Sequence, residues 1–227
     1  MVGERIARVA RVAVIGDVHA EDELLERALS ALSRRHLDAL LCVGDVADGP
    51  GDVDRCFDLL AEHQVLTVSG NHERWFLTNE MRGLPAATTQ VKPATRERME
   101  ALPKTRRFET PAGTMLLCHG IGEDDMADLR PTTKGYSLQD IPTLRELMLD
   151  PTVDYVIGGH THVRMARRFQ GLCVLNAGAI ARDVEPVVML VDFEGRRVSW
   201  HRVSTDEELP IVEACDLPLP APLPDAY

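Results

Sequence analysis

No window of the sequence comes near the roughly 18 uncharged apolar residues needed to cross a bilayer. The opening residues, MVGERIARVARVAVIGDVHA, place Arg5, Arg8 and Arg11 ahead of the first apolar run and hold no cleavage-type signal. A soluble, cytoplasmic protein without a membrane partner is expected. An excess of basic residues is missing as well, the formal net charge being −11. That argues against non-specific binding along nucleic-acid backbones, which needs clustered Lys and Arg. It leaves a phosphate substrate open, because a metal site reverses the local sign. CxxC spacing is absent, and the five cysteines (Cys42, Cys56, Cys118, Cys173, Cys215) are odd in number. Three of them lie in apolar runs, so they read as buried structural thiols rather than a zinc or redox site. Internal repeats are also absent. With 44% hydrophobic residues the 227-residue chain can bury a core of its own, expected as one domain over 1–204 with a proline-rich tail over 205–227.

What is present has a clear period. ARVAVIG (10–16), DALLCVG (38–44) and QVLTVSG (64–70) are short apolar runs ending in glycine, the pattern of buried parallel strands. Between them, 21–35 and 53–63 carry apolar residues at helical spacing behind acidic starts. A right-handed βαβαβ unit places the carboxyl ends of its strands on one edge, where ligands bind. The stretch 74–110, interrupted by Gly83, Pro85, Pro93 and Pro103, reads as a lid-like excursion outside the sheet. Apolar runs return at 114–120, 153–160, 172–178, 186–193 and 196–203, with a helix from about Leu138 to Leu149. The last two runs flank a Glu-Gly turn, which predicts a hairpin and a more antiparallel second half.

Polar residues follow these runs in order: Asp17 and His19 in GDVH, Asp45 in GD, Asn71 and His72 in GNH, His119 in CHG, and His160 and His162 in GGHTH. Carboxylate, carboxamide and imidazole together suit borderline-hard divalent ions such as Mn, Fe, Zn, Ni or Co. Each residue alone has a local explanation as a helix cap or a hydrogen-bonded histidine. Jointly, five of the eight histidines at glycine-bearing strand ends favour a metal centre. Extended backbone at these positions would put Asp17 and His19 on one face, and His160 and His162 likewise. Two carboxylates against two divalent ions leave an electropositive pocket suited to phosphate.

The ordered set GDVH, GD, GNH, H and GHTH, with NAG at 176–178, resembles the calcineurin-like metallophosphoesterase superfamily, and in particular its small bacterial phosphodiesterases. The resemblance implies an α/β fold, a four-layer α/β/β/α sandwich around two mixed sheets. It implies Asp17, His19 and His162 on a first divalent metal, Asp45 bridging, and Asn71, His119 and His160 completing the second, with manganese the ion expected for activity. His72 would be the general acid rather than a ligand, oriented by Asp48 of GDVAD. A metal-bridging hydroxide would attack the phosphoester, most plausibly a diester. Departures from the family pattern are Ala20 where glycine is usual and Gly49 where Ser/Thr-type phosphatases have arginine; Glu73 is shared with that group. Arg74 is expected to be a solvated lid charge. Two alternatives accompany this reading. One is a phosphomonoesterase or protein phosphatase using the cations of 74–107 on the same site. The other is a non-catalytic interaction protein, which would be expected to have lost ligands that are all present here.

Overall fold

Arg11–Ile15 divides its side chains between two cores: Val12 and Val14 pack into one, Ala13 and Ile15 into another. A strand buried on both faces must be covered on both sides, one way by helices and the other by a second sheet. The computed structural model describes residues 7–204 and 208–220. In chain order they form β1 (Ala7–Arg8), β2 (Arg11–Ile15), α1 (Asp22–Leu32), β3 (Ala39–Cys42), α2 (Val53–Glu62), β4 (Leu66–Thr67), α3 (Asn71–Thr78), α4 (Pro93–Glu100), β5 (Arg106–Thr110) and β6 (Gly113–Leu117). There follow a 3-10 turn (Gly135–Leu138), α5 (Pro142–Leu149), β7 (Tyr155–Gly158), β8 (Met165–Phe169), β9 (Leu172–Asn176), β10 (Val187–Asp192), β11 (Arg197–Arg202) and β12 (Ile211–Asp216).

The strands make two mixed six-stranded sheets, β1-β5-β6-β7-β9-β8 and β12-β11-β10-β2-β3-β4. Their facing sides share an aliphatic core in which Val14 and Leu41 of one sheet meet Leu117, Ile157 and Leu175 of the other, around the fully buried Trp200. On the outer side of the second sheet, Ala13, Ile15 and Cys42 pack against Leu25 and Leu29 of α1 and Phe57 of α2. Leu116, Val156 and Val174 face outward from the first sheet onto Leu144 of α5. The result is the α/β/β/α sandwich expected above. β2, β3 and β4 run parallel, as do β6, β7 and β9, so the carboxyl ends of both triplets open on the same end of the sandwich. Among the described residues no helix is long and apolar enough to cross a membrane.

Several expectations are corrected. The stretch 74–110 is not wholly outside the sheet, since β5 pairs antiparallel with β6 and parallel with β1. Nor is α4 a lid: Met99 is buried in the α1–α2 core, and Thr95 and Arg98 bond to Asp54 and Asp58. Within 74–110, residues 79–92 and the short link 101–105 lack helix and strand. The predicted β10–β11 hairpin forms, and the second half is the more antiparallel one as expected, although β6, β7 and β9 within it are a parallel run. From 205 onward a tail was expected; instead β12 adds to the edge of β11, and Leu209 and Leu217 are buried beside it. Short polar-rich strands with one exposed face, such as β12, give too weak an alternation to be seen in the sequence. Residues 221–227, the last part of that expected tail, lie outside the described residues. Cys42, Cys56, Cys118 and Cys173 are buried free thiols, whereas Cys215 is exposed on β12.

At the end of β2 the chain passes so close to the β9–β10 connection that a Cβ on Gly16 would lie 1.9 Å from Gly178 O. Gly16→Ala must therefore separate two backbones that Asp17 and Ile180 hold together by a main-chain hydrogen bond of 3.0 Å. We expect a stability loss of about 3 kcal/mol, the upper end of overpacking costs, seen as a lower urea midpoint at unchanged slope. A wild-type midpoint would contradict this close approach.

Candidate metal centre

The carboxyl ends of the two parallel triplets deliver every residue expected at the site to one place. Asp17 follows β2, Asp45 follows β3, Asn71 opens α3 just after β4, His119 follows β6, and His160 and His162 follow β7. Asp17, His19 and His162 form one group whose ligand-type atoms lie within 4.8 Å of one another; Asp45, His119 and His160 form a second. Asn71 joins the second group, its Oδ1 standing 2.9 Å from His119 Nε2 and 3.0 Å from His160 Nδ1. The side chains of Asp17, Asp45, Asn71 and His119 are buried.

The expected face-sharing of His160 with His162 does not hold. His19, His160 and His162 have φ of 46°, 63° and 58°, the left-handed region, so the backbone turns at each instead of extending. The turn sends His160 to the Asp45 group and His162 to the Asp17 group. Site residues also join the two sheets: His119 Nδ1 donates to Val43 O at 2.8 Å, and His160 N donates to Asp17 Oδ1 at 3.1 Å.

His72 stands apart from the second group. Its Nδ1 bonds Asp48 Oδ2 at 2.8 Å, its ring packs on Trp75 with centroids 4.6 Å apart, and its Nε2 faces the cluster 3.8 Å from Asp45 Oδ2. His72 also lies within 4.8 Å of His19 and Asp45. Its free nitrogen is thus turned toward the place where the two groups meet. Burial opposes a charge on His72, but the Asp48 hydrogen bond and the Asp45 carboxylate outweigh it and raise its pKa. For Asp48, burial is likewise overcome, here by the bonds from His72 and Arg82, and its pKa is lowered.

Sequence reasoning missed the supports. Glu73, fully buried, accepts four backbone N–H bonds: from Asp45 and Gly70 at Oε2, both 2.9 Å, and from Val46 and Ala47 at Oε1, 2.7 and 2.8 Å. It thereby clamps the Asp45 turn to the start of α3. Arg74 is not a solvated charge: it grips Asp125 of the 121–137 loop through Nε at 2.7 Å and a second nitrogen at 2.9 Å. Asn176 of NAG is buried, donating to Gly159 O and accepting from Gly178 N at 2.9 Å, which fixes the β9 end against the GGHTH turn. Glu73, within GNHE, and Asn176, within NAG, had a sequence signal; Arg74 and Asp125, 51 residues apart, had none as a pair.

A family model, the calcineurin-like phosphoesterase superfamily domain, matches residues 11–196. The chain belongs to this superfamily. A probable metallophosphoesterase of Methanothermobacter thermautotrophicus is 25% identical over 203 residues, 86% of this chain and 92% of that protein. An uncharacterized protein of Methanocaldococcus jannaschii is 30% identical over 69 residues, so the match spans 30% of this chain and only 28% of that protein's length. The crystal structure of a metallophosphoesterase from Sphaerobacter thermophilus aligns with a TM-score of 0.64 at 21% identity, covering 87% of this chain and 89% of that one, and so shares the fold.

The superfamily implies divalent metal ions, and the side chains fit them. His19 Nδ1 lies 3.0 Å from the Asp48 carbonyl and His119 Nδ1 lies against that of Val43, which places the ring proton on Nδ1 and the lone pair on Nε2. Those lone pairs point into the cluster: His19 Nε2 lies 3.1 Å from His162 Nε2, and His119 Nε2 lies 3.1 Å from Asp45 Oδ2. Asp17 Oδ2 is buried without a hydrogen bond, although His162 Nε2 is 2.9 Å from it. Imidazole nitrogens and carboxylate oxygens converging this closely fit a cation. The same field acts on protons: burial disfavours charge on His119, yet Asp45 pushes its pKa up to about 10.

Glu73→Gln swaps two of the four accepted bonds for an amide that can only donate. We expect a loss of about 3 kcal/mol in unfolding free energy, the cost of stranding buried N–H donors, measurable by thermal or urea denaturation. Wild-type stability in this variant would show that the clamp carries little energy.

Proposed function

We propose that the protein hydrolyses phosphodiesters, with Asp17, His19 and His162 holding one divalent ion, Asn71, His119 and His160 a second, Asp45 shared between them, and His72 acting as general acid. Manganese is the ion expected to support activity. When bound, such ions polarise phosphoryl oxygens and lower the pKa of water. The protein's own contribution is orientation and proton delivery. Because Asp48 occupies Nδ1, the proton available to substrate is the one on His72 Nε2. As a P–O bond forms to water and the ester P–O bond breaks, that proton passes to the departing oxygen, which leaves as an alcohol.

The diester reading rests on one observation: every arginine between 74 and 107 already has an acceptor. Arg74 bonds Asp125 and Glu80, Arg82 bonds Asp48, Arg96 pairs with Glu100, and Arg98 with Asp58. Arg106 donates to Thr67 O, and Arg107 to Thr152 beside Asp150. A dianionic monoester calls for an extra free guanidinium at the phosphate, and these six are committed elsewhere. A diester instead carries a second organic substituent. A cavity of about 240 Å³ beside His119, walled by Leu77, Met99 and Leu102 with Arg74 and Lys104 among its charged lining, offers room for one.

With manganese-loaded protein, bis(p-nitrophenyl) phosphate should be hydrolysed with a higher kcat/KM than p-nitrophenyl phosphate. A monoester rate far above the diester rate would favour the phosphatase alternative.

The roles separate by substitution. His72→Ala should keep metal and lose about 10²–10⁴-fold in kcat, the usual range for a general acid, most severely with poor leaving groups. Asp45→Asn should lose metal and activity together. Elemental analysis beside steady-state kinetics checks both, and an Asp45→Asn protein that still carries two equivalents of metal would contradict the shared role.

A further inference from the structure

Residues 79–92 contain no helix or strand, and Asn79, Met81 and Ala86 sit at φ of 61°, 50° and 56°. Two turn hydrogen bonds, Leu84 N to Met81 O and Ala87 N to Leu84 O, both 3.2 Å, shape it locally, and Lys92 N bonds Asp54 Oδ1 at its far end. Its middle is tied down by four hydrogen bonds with Asp48. The two terminal nitrogens of Arg82 form a fork on this carboxylate, 2.9 Å to Oδ1 and 2.8 Å to Oδ2. Thr88 adds a backbone N–H to Oδ1 at 2.7 Å, and its hydroxyl accepts the Asp48 N–H at 2.9 Å. Arg82 also ties the segment to itself, donating to Glu80 O at 2.6 Å and Thr88 O at 3.1 Å.

The same Oδ2 that receives Arg82 receives His72 Nδ1 at 2.8 Å. Asp48 is buried and itself sits at φ 61°, so its side chain has little freedom beyond rotation of the carboxylate plane. A bidentate guanidinium fixes that plane where a single donor would not. Rotation would draw Oδ2 away from Nδ1 and let the imidazole tilt between Trp75 and His19, whose rings lie 4.6 and 4.7 Å from it.

We propose that Arg82 is a positioning residue for His72: by forking onto Asp48 it makes docking of the 79–92 segment and the orientation of the proton donor one structural event. The inference rests on the reading of His72 as general acid. It implies that whatever substrate group bears on 79–92 acts on proton delivery, not only on binding.

The test compares Arg82→Met, Asp48→Asn and His72→Ala in the full-length, manganese-loaded protein. Arg82→Met should lower kcat about 10- to 100-fold for alkyl phosphodiesters, change KM less than about twofold, and spare nitrophenyl esters, with metal content unchanged. Added to Asp48→Asn, it should cost less than about twofold more, since both act through one carboxylate. By hydrogen exchange, the amides of 79–92, Thr88 among them, should exchange about tenfold faster or more in Arg82→Met and in Asp48→Asn but not in His72→Ala. Arg82→Lys, which keeps the charge and loses the fork, is the milder variant and should show the same leaving-group pattern. Equal loss with all leaving groups, additivity with Asp48→Asn, or unchanged exchange in 79–92 would each overturn the proposal. If His72→Ala itself lacks leaving-group dependence while the exchange result holds, it is the general-acid reading that fails and not the docking.

Discussion

A single buried carboxylate, that of Glu73, sets the geometry on which the centre depends. Four backbone N–H groups converge on it, three from the turn after β3 and one from Gly70. An ionised acceptor shared by main-chain donors is worth more than neutral bonds and tolerates little displacement. Burial and the neighbouring Asp45 charge raise the Glu73 pKa, while the N–H donors oppose them. Through this clamp Asp45 takes φ 49° and its Oδ1 receives the His72 N–H at 2.9 Å, so the carboxylate and α3 are placed relative to each other before any ligand arrives.

The protein is acidic overall, yet its functional end is organised around buried acids that need positive partners. Asp45 shows the balance: burial pushes its pKa up, and the neighbouring His119, His72 and His19 more than reverse the push. Asp48 is satisfied within the protein by Arg82, Thr88 and His72, whereas Asp17 Oδ2 has no hydrogen bond. That contrast separates an acid whose oxygens are met inside the protein from one with an oxygen left unpaired. The arginines between 74 and 107 are spent on structure, and divalent ions of the kind the superfamily implies would supply positive potential at this end.

The layered fold was legible because β2, β3, β6, β7 and β9 are short apolar runs ended by glycine or by polar residues, and two of the intervening helices carry a clear apolar stripe. β12 was not legible, since its side chains are mostly exposed and it is held by main-chain pairing with β11. The segment after α3 looked uniform in sequence but divides into a loop, a core helix and a strand. What separates them is burial of Met99 and Phe108, a property of the neighbours as much as of the residues.

From the sequence alone came the chemical inventory of the site and its order along the chain, because each ligand-type residue had to follow a strand whose apolar period marks its end. The resemblance it supports names the superfamily for the same reason. The tertiary structure decided how the backbone achieves the division that the resemblance implies: left-handed turns, not an extended strand, send His160 and His162 to different groups. It also decided which charges are free, pairing Arg74 with Asp125 and Arg82 with Asp48 across 51 and 34 residues. Such pairings depend on where distant strand ends and loops meet in space, and no local periodicity records that.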